Sequence, residues 1–308
     1  MIEYPLVSIV TPTFNAARFL EETILSVLEQ DYPNLEYIVV DGGSTDETIS
    51  ILEKYKSKLQ YHTGPDRGTS DAIQRGFQMS QGQVFAFLCA DDTYMPGAIR
   101  RAVQYLNESE HAAGVYGDAY WIDDNGRLIA PYPTRHFDRE ILRQECFICQ
   151  PASFLRRSAL EKIGGMNTQL HFAFDYDLWL RLAKDHELMK VDDFLANSRM
   201  HKANKTLGQR QLMFAETLAT VKRNIGYVPF QWIHGYCSYL VDQRDQFFEP
   251  LRPSILKYLL SLVVGSYYNP GSLGTYWKEW SKVMTFDGLV RRWNDSWVAR
   301  ALGMRVRG

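Results

Sequence analysis

A chain of 308 residues that is 45% hydrophobic has room for a full catalytic domain and an appendage of about a hundred residues, which excludes a small binding module. The formal net charge of −2 is unevenly spread: residues 1–209 carry 21 basic and 29 acidic side chains, net −8, whereas 210–308 carry 13 and 7, net +6. So few basic residues over an acidic majority exclude nucleic acid as a partner.

The first half alternates between the two periods of secondary structure. LVSIVT (6–11) is apolar and β-branched, a buried strand, and AARFLEETILSVLEQ (16–30) puts Phe19, Leu20, Ile24, Val27 and Leu28 on one helical face. LEYIVV (35–40) is the next strand, and STDETISILEKY (44–55) opens with Ser44 and Glu47 in capping-box spacing. TSDAIQRGFQMS (69–80) and PGAIRRAVQYLN (96–107) read as helices with the strand VFAFL (84–88) between them. Strand following helix in this way predicts an α/β domain with a largely parallel central sheet flanked by helices. Further on, Asp123-Asp124-Asn125-Gly126 separates two strand-like runs, a hairpin signal because Asn-Gly accepts positive φ cheaply. FAFDYDLWLRLAK (172–184) is helical, with Asp175, Leu178, Trp179 and Leu182 on one face.

From about residue 205 the sequence is helical and aromatic, broken at Pro229, Pro250, Pro253 and the NPGSLG loop (269–274), so the boundaries are drawn at 1–205 and 206–308. Its most apolar stretch, ILKYLLSLVVGSYY (255–268), is shorter than the roughly eighteen residues of a membrane span and contains Lys257. The opening MIEYPLVSIVTPTF lacks the basic flank and cleavage site of a secretory signal, and a cytoplasmic location is expected. Four cysteines are too few for a disulfide framework in this length, and the Cys146-x-x-Cys149 pair, without a second pair or an adjacent histidine, reads as reduced, packed thiols.

In parallel sheets ligands bind outside the carboxyl ends of the strands, which directs attention to TPTFN (11–15), DGGSTD (41–46) and CADDT (89–93). The first turn has no GxGxxG, which argues against a nicotinamide cofactor. Asp41 either accepts hydrogen bonds from a base or ribose, with Gly42 and Gly43 allowing close approach, or merely starts a turn. Asp91 and Asp92 either cap the 96–107 helix or offer oxygen ligands to Mg²⁺ or Mn²⁺, the hard cations held by one or two carboxylates with substrate phosphates. Asp175 is a candidate general base at a helix start, against the plainer reading that Asp175 or Asp177 complements the helix dipole. His201, after the strand-like LANSRM, has packing and ligand readings alike.

VSIVTPTFN, IVVDGGSTDET, GPDRGTSDAIQRGF, FLCADDTYMPGAI and FAFDYDLWLRLA, in this order, resemble the inverting nucleotide-sugar glycosyltransferases of GT-A fold known as family two, over about residues 5–205. The resemblance implies a single-displacement sugar transfer from a nucleoside-diphosphate sugar, a UDP-sugar first among them, to a hydroxyl of a glycan or lipid-linked acceptor in cell-surface polysaccharide synthesis. It implies nucleotide-sugar contacts from Thr11, Pro12, Thr13, Asn15, Asp41, Arg67 and Asp91. It implies Mg²⁺ or Mn²⁺ at Asp91 and Asp92 with His201 beside the metal, and Asp175 as catalytic base. A non-catalytic nucleotide-sugar-binding or scaffold protein of the same fold is the alternative.

Two departures stand out. Many relatives read Asp-x-Asp-Asp where this chain has Cys89-Ala90-Asp91-Asp92, which puts metal dependence in question. Many read Glu-Asp where this chain has Phe174-Asp175, and a phenylalanine packed on the acid would raise its pKa. Beyond the resemblance, Trp232, Trp277, Trp280, Trp293 and Trp297 interleave with Arg291, Arg292, Arg300, Arg305 and Arg307. That pattern suits an anionic membrane surface carrying a lipid-linked acceptor at the inner face of the membrane, or else a helical cap contacting the catalytic domain or a second subunit of a homo-oligomer.

Overall fold

The computed structural model describes residues 4–109, 111–201, 204–243 and 254–283. Its strands are β1 (Val7–Thr13), β2 (Leu35–Asp41), β3 (Gln60–Thr63), β4 (Val84–Phe87), β5 (Thr93–Tyr94), β6 (Gly114–Ile122), β7 (Leu128–Pro131), β8 (Ser153–Arg156) and β9 (Leu188–Arg199). The helices are α1 (Ala17–Leu28), α2 (Thr48–Tyr55), α3 (Thr69–Met79), α4 (Ala98–Glu108), α5 (Arg139–Gln144), α6 (Arg157–Lys162), α7 (Phe174–Asp185), α8 (Lys205–Gly208), α9 (Arg210–Ile225), α10 (Phe230–Asp242), α11 (Ile255–Tyr268) and α12 (Leu273–Val283).

The chain divides into two units, residues 1–138 with 147–201, and 139–146 with 202–308. In the first, the sheet order is β3-β2-β1-β4-β8-β6-β9-β5, with β7 added to β6. The expected parallel arrangement holds from β3 to β4. Beyond β4 the sheet is mixed, because β8 runs antiparallel to both β4 and β6 while β6 and β9 are parallel.

Every residue of β1 is buried, as expected of a central strand rich in apolar and β-branched side chains. α1 buries Phe19, Leu20, Thr23, Ile24 and Val27, nearly the stripe read from the sequence. α3 crosses β1 so closely that a Cβ on Gly76 would lie 2.4 Å from Val10 Cγ1, which explains a glycine in mid-helix. The Asp-Asp-Asn-Gly hairpin joins β6 to β7: Asp123 Oδ1 accepts from the amides of Asn125 and Arg127, both at 2.8 Å, and Gly126 takes a φ of 76°.

Two expectations fail locally. Ser44 does not cap α2; its hydroxyl donates to Asp41 and accepts from the Asn15 amide at 2.7 Å, and Asp46 Oδ1 receives the Thr48 amide at 3.0 Å. Nor do Asp91 and Asp92 cap α4, which starts at Ala98 with Gly97 as N-cap in the left-handed region.

In the second unit α10, α11 and α12 pack through aromatic side chains. Tyr276 is fully buried against Gly265 and donates its hydroxyl to Ser261 O at 2.6 Å, while Trp280 Nε1 donates to Tyr258 O at 2.9 Å. Lys257, which seemed to interrupt the apolar stretch, is turned inward and paired with Asp242. The outward face of α11 is consequently uncharged, with Ile255, Leu256, Leu259, Val263 and Tyr267 exposed. No described helix is long and apolar enough to cross a membrane. Trp293, Trp297 and the arginines from 291 onward lie outside the described residues.

Candidate active site

The carboxyl ends of β1, β2 and β4 lie side by side, since β1 pairs with both neighbours in parallel and Thr13 is in register with Asp41. The loops after β1 and β2 form one hydrogen-bonded body. Asn15, at a φ of 48°, accepts the Thr45 amide on Oδ1 at 2.9 Å, and the Gly42 amide donates to Thr13 O at 2.9 Å. Asp41 is buried: its Oδ2 accepts from the amides of Gly43 and Ser44, both at 3.0 Å, and from Thr63 Oγ1 at 2.6 Å, and its Oδ1 accepts from Ser44 Oγ. The turn reading of Asp41 is therefore realised, with one acceptor site left on Oδ1. The close approach at Gly42 is by the chain itself, since a Cβ there would lie 2.8 Å from Asp66 Oδ2. Thr11 spends its hydroxyl on Tyr37 at 3.1 Å, while the buried Thr13 hydroxyl on the same strand face has no hydrogen-bond partner.

At the end of β4 the chain turns back, the Asp92 amide donating to Cys89 O at 3.0 Å, and gathers Cys89, Asp91 and Asp92. One donor atom from each, a sulfur and two carboxylate oxygens, lie within 4.8 Å of one another. Asp92 is buried and its Oδ1 accepts the Arg199 amide at 2.8 Å. Burial, and after it the charge of Asp91, pushes the Asp92 carboxyl well above the usual carboxylate range, with Arg199 and Ser198 opposing. A buried acid held this way is short of positive charge, and carboxylate oxygens beside an open turn match the chemistry of a hard divalent cation. His201 meets the cluster through Asp91, its Nε2 lying 3.0 Å from Oδ2.

Arg199, which sequence reasoning passed over, ties these pieces together. Its fully buried guanidinium donates to Asp91 O at 2.8 Å, Asp123 O at 3.3 Å and Glu22 Oε2 at 2.6 Å. Phe19 touches both it and the histidine, its ring 4.8 Å from the guanidinium carbon and 4.8 Å from the His201 ring. The available signal was an arginine closing the strand-like LANSR run two positions before His201.

Asp175 sits in the first turn of α7 and receives the Tyr176 amide on Oδ1 at 2.7 Å. Leu178, Trp179 and Leu182 are fully buried and anchor the helix, each contributing about 1.5–3 kcal/mol through removal from water. The neighbouring Asp177 has the plainer role, a buried carboxylate 2.6 Å from Arg181 one turn on. Phe174 packs toward Phe87 at the end of β4, ring centroids 6.3 Å apart, which brings the α7 start to the same end of the sheet as Cys89. The segment before α7 is also tied to the first turn of α3 and the loop before it, by Ser70 Oγ donating to Leu170 O at 2.5 Å and Arg67 donating to Thr168 Oγ1 at 3.3 Å. Arg67 is paired with Asp71 at 2.6 Å on the wall of a cleft of about 620 Å³ shared with Gln74, Arg75 and Met166. Neither Asp41 nor the Asp91–Asp92 pair lines that cleft.

Strand-end loops of a parallel half-sheet, an acid pair after the fourth strand and an acid-bearing helix that starts at the same end define a GT-A architecture. The chain belongs to glycosyl transferase family 2, whose profile matches residues 8–164, covering Thr11, Asp41, Arg67, Asp91 and Asp92 but ending before Asp175 and His201. It is 31% identical over 210 residues to an uncharacterized glycosyltransferase of Rickettsia prowazekii, an alignment spanning 66% of this chain and 66% of that relative. Two solved structures share the fold. TarS 1-349 of S. aureus in complex with UDP has a TM-score of 0.61 at 15% identity, with 90% of each chain covered. The mannosyltransferase PcManGT of Pyrobaculum calidifontis, in complex with GDP-Man and Mn²⁺, has a TM-score of 0.58 at 20% identity, covering 92% of this chain and 88% of its own.

Proposed function

We propose that the chain is an inverting glycosyltransferase that moves a sugar from a nucleoside-diphosphate sugar to an acceptor hydroxyl. The observation that carries this reading is the convergence of the Cys89–Asp92 turn, His201 and the start of α7 on one end of the sheet. Thr13, Asn15 and the free acceptor site of Asp41 would orient the nucleoside, and Arg67 would meet the diphosphate from the neighbouring loop. Asp91 and Asp92 would hold Mg²⁺ or Mn²⁺, with His201 aligning Asp91. A divalent cation bound there supplies the positive charge that neutralises a departing nucleoside diphosphate. Asp175 takes the proton from the attacking hydroxyl, and inversion follows because the acceptor attacks the face opposite the leaving group.

The acceptor in this reading is a glycan or its lipid-linked precursor, met at the surface of an anionic membrane. The uncharged, exposed face of α11 supports it, with Trp277 of α12 half exposed and donating to Ser266 Oγ at 3.1 Å.

The test is a nucleotide-sugar hydrolysis and transfer assay run with and without Mn²⁺, with nucleotide binding measured by calorimetry. Asp175→Asn is expected to reduce turnover by about a hundredfold or more, the scale of a lost general base, with nucleotide affinity little changed. Turnover preserved in that variant removes Asp175 from the role, and nucleotide binding without any turnover in the unmodified chain favours the non-catalytic alternative.

A further inference from the structure

We propose that Cys89 is a cation-selecting ligand: its sulfur completes the Asp91–Asp92 site and shifts its preference from Mg²⁺ toward borderline and softer divalent ions. The inference rests on the reading that this acid pair binds a cation together with a nucleoside diphosphate.

Three features of the structure carry it. Cys89 Sγ and one oxygen from each acid lie within 4.8 Å of one another. Two ligand bonds of about 2.1–2.4 Å reach about 4.5 Å end to end, so the donors already sit near the span of a single ion. The turn that closes from the Asp92 amide onto Cys89 O folds the thiol back over the acid pair. The thiol is also held by a buried side chain: it donates to Gln150 Oε1 at 3.7 Å, and Gln150 is anchored by its Nε2 donating to Phe87 O at 2.5 Å.

An all-carboxylate set suits Mg²⁺, which wants hard oxygens in a tight octahedron. Replacing one oxygen by sulfur weakens the site for Mg²⁺ and strengthens it along the series from Mn²⁺ through Co²⁺ to Zn²⁺. The thiol proton is released to solvent as the metal–sulfur bond forms, so charge and atoms balance without a further reactant.

The probe is Co²⁺, because a thiolate bound to it gives a ligand-to-metal charge-transfer band in the near ultraviolet that carboxylates do not. The full chain is titrated in a Cys146→Ser background, which removes one thiol of the other cysteine pair, and compared with the same chain carrying Cys89→Ser or Cys89→Asp; circular dichroism checks that each variant is folded. Expected are a charge-transfer band lost in Cys89→Ser, a Co²⁺ affinity weakened there by about 10–100-fold, the scale of losing one metal-site partner, and tighter Mg²⁺ binding in Cys89→Asp. A band that survives Cys89→Ser, or equal Co²⁺ affinities, overturns the proposal. UDP binding measured in parallel with and without Mn²⁺ separates the two levels. If Mn²⁺ strengthens UDP binding in every variant while Co²⁺ affinity is unchanged by Cys89→Ser, only the sulfur ligand is wrong. If UDP binding ignores the cation throughout, the metal-diphosphate reading falls with it.

Discussion

Two adjacent carboxylates at a strand end have opposite surroundings here. Asp91 reaches partly exposed space and touches His201, whereas Asp92 is buried against the Arg199 amide. Because the folded-state pKa of Asp92 is raised, the folded protein holds this proton more tightly than the unfolded chain does. The stabilisation from the neutral form is therefore complete below the ordinary carboxylate range and is lost as pH rises through the raised folded value, the reverse of a salt-bridged aspartate. Asp92→Asn, which keeps an acceptor for the Arg199 amide, should stabilise the chelator-treated protein near neutral pH by about 1 kcal/mol, roughly 2–4 °C in Tm. The gain should shrink as the pH is lowered, and the variant should lose the thermal shift that Mn²⁺ gives the unmodified chain. A Tm equal to or below the unmodified chain's at neutral pH would show that Asp92 is ionised and satisfied without a cation.

At the scale of elements, the site depends on close crossings that carry no chemistry. α3 lies on β1 through Gly76, and the obstructing atom for any added Cβ is a methyl of Val10, a β-branched residue in a central strand with little freedom to move aside. Gly76→Ala should cost about 1–3 kcal/mol by overpacking, read as a lower urea midpoint with an unchanged slope. An unchanged midpoint would mean that the helix can lift off the sheet at no cost. α7 illustrates how an element assigns roles to its own side chains: Asp175 and Asp177 are two residues apart, but rotation about the helix axis leaves one half-buried at the first turn and buries the other against Arg181. Phe174, read as a neighbour that would desolvate Asp175, packs toward Phe87 at the end of β4.

For the molecule as a whole, the acidic first part of the chain holds the sheet and its site, and the basic remainder contributes a helical unit with an exposed apolar face. On α11, Ile255 is 74% exposed, Val263 68% and Tyr267 81%, along a helix whose single charge is turned inward. Under the membrane-surface reading, the paired substitution Leu259→Glu and Val263→Glu should reduce cosedimentation with phosphatidylglycerol-containing vesicles several-fold while leaving nucleotide binding intact. Equal sedimentation of both proteins would remove α11 from membrane contact. The folding cost of the pair should be within about 0.5 kcal/mol per site, because neither side chain is buried.

Periodicity and residue type alone located β1, α1, β2, β4, α7 and the hairpin, because each buries a face whose spacing is written in consecutive residues. They also pointed to Asp41, Asp91, Asp92 and Asp175, since carboxylates at strand ends and helix starts are local features. Only the tertiary structure decided that Ser44 serves Asp41 rather than capping α2, and that the acid pair lies upstream of α4 instead of capping it. It alone brought Arg199 onto Asp91 from more than a hundred residues away, gave the His201 contact that only the family resemblance had suggested, and turned the thiol of Cys89 toward the two carboxylates. The physical reason for Arg199 and His201 is that Asp91 and Asp92 lead straight into β5, which pairs antiparallel with β9 with Thr93 opposite Asn197, so two segments about a hundred residues apart meet in one ladder. That pairing is between strands distant in sequence, and no local pattern encodes it.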